Sequence, residues 1–261
     1  MPLDDFPPGT VWLVGAGPGD PELLTIKAVR LIERADIIFH DALVGEGVLA
    51  LIPPRTECVS VGKRSGRHSK DQRTIDALLV DAATAGKRVV RLKGGDPSIF
   101  GRSAEEIDAL RKAGFSARIC PGITTACAAA ASAGVSLSLR GVARDVRFVT
   151  AHNKRGAALD IDWSSLASAG STLAFYMGRD AAPDIASRMI AAGCPADTPV
   201  MIACNVSRAD EQMLTTRLDL LGLATRALAG DAPTLLLVGE AVGSAIAERE
   251  PAIADRAMGA A

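Results

Sequence analysis

The chain has 261 residues, 48% hydrophobic and 23% charged, with a formal net charge of −1 and only six Phe, two Trp and one Tyr. That balance is the one of a folded globular protein, and it offers neither a field to gather nucleic acid or an anionic membrane nor many platforms to stack bases. No run approaches the ~20 apolar residues needed to span a bilayer, and the first nine residues carry Asp4 and Asp5 instead of the basic start of a secretory leader.

In chain order, Val11-Trp12-Leu13-Val14 reads as a strand ending in Gly15-Ala16-Gly17-Pro18-Gly19-Asp20. A helical stretch follows, with Leu23, Leu24, Ile26, Ala28, Val29, Leu31 and Ile32 near a 3.6-residue period, and Thr25 or Asp20 to cap it. Ile37–Phe39 is a second strand closed by His40-Asp41, and Cys58–Val61 a third ending at Gly62-Lys63. Ser69-Lys70-Asp71-Gln72 has the pattern of a capping box for a helix running to about Ala83. Arg88–Leu92 is a fourth strand, ending at Lys93-Gly94-Gly95-Asp96-Pro97. Ser103-Ala104-Glu105-Glu106 repeats the capping-box pattern, and Ala117–Cys120 is a fifth strand.

Strands alternating with helices predict a largely parallel α/β sheet, with ligands beyond the carboxyl ends of its strands. After a small-residue helix around Thr124–Ala133, strands at Arg147–Thr150, Thr172–Met177, Pro199–Cys204, Met213–Arg217 and Thr234–Val238 have fewer helices between them. The expected organisation is an N-terminal α/β domain over 1–121, a second α/β domain with a mixed sheet over 122–242, and a tail over 243–261 with the composition of a disordered end. Five cysteines without a C-x-x-C pair, and three dispersed histidines, predict reduced thiols, no metal site and a cytoplasmic protein.

The two glycine loops carry the chemistry. Gly15-x-Gly17-x-Gly19 after a strand invites a dinucleotide reading, but the sixth position is Asp20, followed by Pro21. That places negative charge where a pyrophosphate belongs and does not open directly into a helix. A purely structural glycine turn stays open as an alternative. In Lys93–Pro97, paired glycines let backbone approach a ligand closely, and Asp96 can accept from ribose hydroxyls or an ammonium group. Such a pocket suits a cationic nucleoside better than a phosphate.

The stretch Val14-Gly15-Ala16-Gly17-Pro18-Gly19-Asp20-Pro21-Glu22-Leu23-Leu24-Thr25 resembles the opening signature of the tetrapyrrole methylases. Val89–Pro97 with Ile99-Phe100-Gly101-Arg102, and Val61–Arg64 with Gly66, His68 and Gln72, resemble the branch of that family acting on uroporphyrinogen III. Pro121–Thr124, Phe175–Gly178 and Val238–Glu240 fit the same branch. The resemblance implies two α/β domains with S-adenosylmethionine in the cleft between them, S-adenosylhomocysteine as its product, and a homodimer. It places Pro18, Gly94, Gly95, Asp96, Ile99, Thr124, Thr125, Met177, Val206, Thr234 and Leu235 at the cofactor, Asp41 as proton acceptor and Lys63 as proton donor. The implied reaction is methylation of uroporphyrinogen III at two ring positions, giving precorrin-2 through precorrin-1. Arg64, Arg67, Arg102 and Arg140 are candidates to pair with substrate carboxylates. Ser98 stands where the family has Phe, and Leu139 where it has His, both on the substrate side. A later precorrin methyltransferase, or a non-catalytic cofactor-binding regulator, are the alternative functions.

Overall fold

Five of the short apolar runs assemble into one sheet. The computed structural model describes residues 5–62, 71–151, 161–168 and 170–243. Strands β1 (Val11–Gly15), β2 (Ile37–His40), β3 (Glu57–Ser60), β4 (Val89–Lys93) and β5 (Ala117–Cys120) lie in the order β3-β2-β4-β1-β5, all parallel. Helices α1 (Ile26–Arg34), α2 (Glu46–Leu49), α3 (Gln72–Thr84) and α4 (Ser103–Lys112) run between them. A parallel sheet is stable only when both faces are covered, and alternation along each strand sorts the side chains between the two. Trp12, Val14, Ile38, Val90 and Leu92 pack on Ala28, Leu31 and Ile32 of α1 and Val48 of α2. Val11, Leu13, Ile37, Phe39 and Val89 pack on Ile75 and Leu79 of α3 and Leu110 of α4.

The helix starts differ from the sequence reading in instructive ways. The stretch expected to run on from Leu23 is split in two. Asp20 Oδ1 accepts from the Glu22 amide at 2.8 Å over a 3-10 turn at Pro21–Leu23, and Thr25 Oγ1 accepts from the Ala28 amide at 3.1 Å to start α1. Both expected caps are used, each for its own turn. Ahead of α3 the cap is Asp71, accepting from the Thr74 amide at 2.8 Å, while Ser69 lies outside the described residues.

At α4 the capping box is overturned. Ser103 is the first helical residue, and its hydroxyl donates to the Pro97 carbonyl at 2.5 Å. The cap position is Arg102, in the left-handed region at φ 56° and without a side-chain cap bond. Glu106 cannot turn back to the cap because two buried cations draw it inward, as described below.

The second sheet holds β6 (Asp145–Thr150), β7 (Ser171–Tyr176), β8 (Pro199–Cys204), β9 (Gln212–Arg217) and β10 (Thr234–Val238), in the order β6-β7-β10-β8-β9. Only the β6–β7 pairing is parallel, so the sheet is mixed, as the sequence leads one to expect. Helix α5 (Thr125–Ala133) precedes these strands; α6 (Trp163–Leu166), α7 (Ala182–Ala191) and α8 (Leu221–Leu228) lie between them. Leu173, Phe175, Val200, Ile202, Leu236 and Val238 pack with Ile185 and Met189 of α7 and Leu221 of α8.

By contacts the chain forms two compact units, Met1–Ala128 with Val206–Asp210, and Ala129–Asn205 with Glu211–Ala261. A five-residue segment between β8 and β9 thus belongs to the first unit. Asn205 and Ser207, at φ 49° and 60°, bend the chain there. Among the described residues no helix is long and apolar enough to cross a membrane.

Candidate functional site

The loops that leave the carboxyl ends of β1, β2, β4 and β5 pack directly on one another. The Gly17 amide donates to the Gly95 carbonyl at 3.2 Å, and the Gly95 amide to the Gly17 carbonyl at 2.7 Å. Both glycines have positive φ, at 65° and 69°, a conformation a side chain resists. Where β1 and β5 end, a Cβ on Gly15 would lie 2.5 Å from the Gly122 Cα and 2.8 Å from the Gly95 carbonyl oxygen. Three backbones therefore cross at van der Waals distance, and no other residue fits. These loop amides bond to each other, so they form no empty nest for a pyrophosphate.

Asp96 fastens this crossing. Its Oδ1 accepts from the Ser98 amide at 2.7 Å and its Oδ2 from the Gly122 amide at 2.9 Å, tying the β4 loop to the β5 loop. A carboxylate has further lone pairs, so a ligand donor can still be accepted. A Cβ on Gly95 would lie 3.9 Å from Thr125 Oγ1, and one on Gly94 would lie 3.0 Å from Leu43 Cβ in the loop after β2. The structure thus brings Gly94, Gly95, Asp96 and Thr125 together.

The segment Val206–Asp210 braces the same loops from outside. Ser207 Oγ accepts from the Asp20 amide at 3.0 Å, and Arg208 Nη2 donates to the Leu43 carbonyl at 2.6 Å. Val206 is buried in this segment and Pro18 in the β1 loop, while Ile99 and Thr124 are half-buried. Met177, Thr234 and Leu235 belong to the second unit. Met177 directly follows β7, with φ 56° and an exposed side chain, a strained position for a residue with a Cβ. Thr234 donates to the Ala232 carbonyl at 2.9 Å, and Leu235 is buried between β7 and β8.

Asp41 stands at the carboxyl end of β2, its side chain 27% exposed and ion-paired with Nη2 of Arg91 on β4. Arg91 and Lys93 project from β4 toward α4, where Glu106 meets them. Arg91 Nε donates to Glu106 Oε1 at 3.0 Å, and Lys93 Nζ donates to Oε1 at 3.0 Å and to Oε2 at 2.9 Å. Burial opposes both cations. At Arg91 the charges of Asp41 and Glu106 prevail and hold its pKa above the ordinary value. At Lys93 burial, with the Arg91 charge beside it, lowers the pKa.

Among the remaining candidates, Arg102 lies exposed in a fork with Glu105, at 2.8 and 2.7 Å. Arg140 is exposed in the second unit. Lys63, Arg64 and Arg67 lie outside the described residues. The sequence reading missed Arg91, Lys93, Glu106, Ser207 and Arg208. A signal existed for the first three: two cations at alternate positions of an otherwise apolar run demand a buried counter-charge. No local signal marks Ser207 or Arg208.

A doubly wound parallel sheet followed by a mixed sheet is also the architecture of a solved uroporphyrin-III C-methyl transferase from Thermus thermophilus, complexed with S-adenyl homocysteine. The two match with a TM-score of 0.77 at 36% identity, over 90% of this chain and 99% of that one. The fold is that of a two-domain α/β methyltransferase. More narrowly, the chain belongs to the Tetrapyrrole (Corrin/Porphyrin) Methylases, whose family model matches residues 10–221. It is 46% identical to the uroporphyrinogen-III C-methyltransferase of Paracoccus denitrificans over 237 residues, covering 91% of this chain and 83% of that protein. It is also 48% identical to siroheme synthase 1 of Klebsiella pneumoniae over 236 residues, spanning 90% of this chain and only 49% of that relative.

Proposed function

We propose that this chain transfers methyl groups from S-adenosylmethionine to two ring carbons of uroporphyrinogen III, giving precorrin-1 and then precorrin-2 for sirohaem or cobalamin. The observation that carries this reading is identity at 46% over 91% of the chain to a uroporphyrinogen-III C-methyltransferase. The β-strand ends support it physically. Loop amides that bond one another leave no bare phosphate cradle, while Gly94 and Gly95 allow close approach and Asp96 supplies a carboxylate. That donor set fits a cationic nucleoside.

Bound S-adenosylmethionine supplies an electrophilic methyl carbon, so the protein needs no covalent nucleophile. What remains for the chain is positioning, which can supply about 7–11 kcal/mol, and removal of the ring proton. In this reading the nucleoside is held by Pro18, Gly94, Gly95, Asp96, Ile99, Thr124, Thr125 and Val206, and Met177, Thr234 and Leu235 of the second unit join the cofactor set. Asp41 takes the ring proton and Lys63 gives one. Arg64, Arg67, Arg102 and Arg140 pair with substrate carboxylates, and the working form is a cytoplasmic homodimer.

Anaerobic incubation with uroporphyrinogen III and methyl-labelled cofactor, followed by absorbance and mass, tests the reaction directly. One and then two methyl additions are expected. Calorimetric titration should show binding of S-adenosylhomocysteine and none of NAD. Asp41→Asn should slow methyl transfer about 10²–10⁴-fold, the range of a lost general base, with cofactor binding unchanged. Clean turnover of a later precorrin with none of uroporphyrinogen III would overturn the substrate.

A further inference from the structure

Four charged groups form one chain of contacts from the protein interior to the end of β2. Arg91 and Lys93 are each 3% exposed and Glu106 is 0% exposed. Of the four, only Asp41 reaches solvent. Moving such ions out of water costs several kcal/mol apiece, and mutual attraction repays it only when the geometry is tight. The geometry here is tight and runs in one direction. Lys93 Nζ holds both oxygens of Glu106, Glu106 Oε1 holds Arg91 Nε, and Arg91 Nη2 reaches Asp41.

The guanidinium is planar, so fixing two of its nitrogens fixes where the third points. Glu106 fixes Nε at 3.0 Å. The Leu92 carbonyl fixes Nη1 at 3.0 Å, with the Phe39 carbonyl at 3.5 Å from the same nitrogen. The direction of Nη2, and with it the placement of the Asp41 carboxylate, then follows. The start of α4 serves the same end. Its left-handed Arg102 and the Ser103 bond to Pro97 set the helix so that Glu106 faces the sheet, and a Cβ on Gly101 would lie 3.1 Å from Lys93 Cε.

We infer that Glu106, acting through Arg91 and steadied by Lys93, is a positioning residue that aims the Asp41 carboxylate at the ring proton released during methyl transfer. The inference rests on Asp41 being the proton acceptor of the proposed function. In the step it serves, the ring C–H bond breaks, its electron pair returns to the pyrrole, and the proton forms an O–H bond on Asp41. Misplacement of a reacting group by about an ångström can cost about 10²-fold in rate. Arg91, Lys93 and Glu106 are buried, and Asp41 alone of the four reaches solvent, so their effect on the reaction is expected to run through Asp41.

The test is a double-mutant cycle on full-length protein, using Glu106→Gln and the milder Glu106→Asp in wild-type and Asp41→Asn backgrounds. Binding of S-adenosylhomocysteine and the thermal midpoint report folding, and Glu106→Asp carries the cycle if Glu106→Gln does not fold. In the wild-type background kcat should fall about 10- to 100-fold, the cost of a displaced group, with KM for both substrates nearly constant. In the Asp41→Asn background the same changes should move kcat less than about 2-fold, because no aimed carboxylate remains. Without any ligand, the Arg91 Nε–H signal in ¹⁵N NMR should persist in Asp41→Asn and vanish in Glu106→Gln. Equal losses of kcat in both backgrounds would make Glu106 purely structural and overturn the inference. Full turnover in Asp41→Asn alone would overturn it through Asp41, and no turnover by the unaltered chain would instead strike the proposed function.

Discussion

Strands β4 and β10 occupy equivalent places and are built from opposite materials. Each has five residues, each has a neighbour on both sides, and each is buried nearly throughout. The contrast lies in their side chains: β10 reads Thr-Leu-Leu-Leu-Val, whereas β4 reads Val-Val-Arg-Leu-Lys. In the second unit Leu236 and Val238 contribute to one continuous apolar core with Phe175, Ile202 and Met189. In the first unit the same alternation delivers Leu92 to an apolar core and Arg91 and Lys93 to Glu106. A buried strand tolerates charge when the opposite charge meets it in register, and such a cluster fixes direction more than it adds stability.

Three changes sharpen or break that contrast. Leu236→Ala should destabilise the protein most, by about 2–5 kcal/mol as for other buried leucines, while molecules that remain folded keep their turnover. Denaturant unfolding with parallel activity assays reads both. The triple change Arg91→Met, Lys93→Met and Glu106→Leu replaces a buried cluster by apolar volume. It should leave stability level or raise it by about 1–4 kcal/mol, with turnover lost. If the triple variant unfolds instead, the cluster is a structural necessity and the contrast with β10 fails.

The smallest effect belongs to Asp36→Asn at the opposite end of β2. There Arg88 donates to Asp36 from Nε at 3.0 Å, from Nη2 at 2.7 Å and from its amide at 2.8 Å. Its side-chain hydrogen bonds hold the Asp36 carboxyl below the usual carboxylate range. A lowered pKa means that the stabilisation is fully present above the unfolded value, about pH 3.9, and is lost as the pH falls through the folded value. For so exposed a pair it amounts to about 0.2–1 kcal/mol. The gap in thermal midpoint between the two proteins should therefore be small at neutral pH and close in acid.

Much of this is legible in sequence for physical reasons. Strands β1 and β2 announce themselves because burial on both faces makes them nearly continuous apolar runs, and Gly15, Gly95 and Gly122 mark strand ends because backbones cross there. Asp20 and Thr25 are legible as caps because capping is local. Glu106 is misleading for the same reason: Ser103-Ala104-Glu105-Glu106 satisfies a local pattern, and only the fold brings Arg91 and Lys93 within reach. Helices α7 and α8 go unread although Ile185, Met189 and Leu221 are buried on them and Pro183 stands in the first turn of α7, where proline marks a helix start.

The bracing of the first unit by Val206–Asp210 bears on how the protein is made. From Ala128 to Val206 is 78 positions (206 − 128), and at synthesis rates of about 5–20 residues per second this interval lasts about 4–16 s. Throughout it the nascent first unit has all five of its strands but lacks Ser207 and Arg208, and so lacks the 3.0 Å bond to the Asp20 amide and the 2.6 Å bond to the Leu43 carbonyl. Asp41 keeps its Arg91 partner meanwhile, but the Asp20 turn and Leu43, two residues beyond Asp41, go without these bonds on the ribosome until Val206–Asp210 is made. A fragment ending at Ala128 should fold its sheet and keep the Arg91–Asp41 pair, yet lose the bonds at Asp20 and Leu43, and a peptide supplying residues 206–210 from outside would have to meet the entropy that the intact chain avoids by covalent connection.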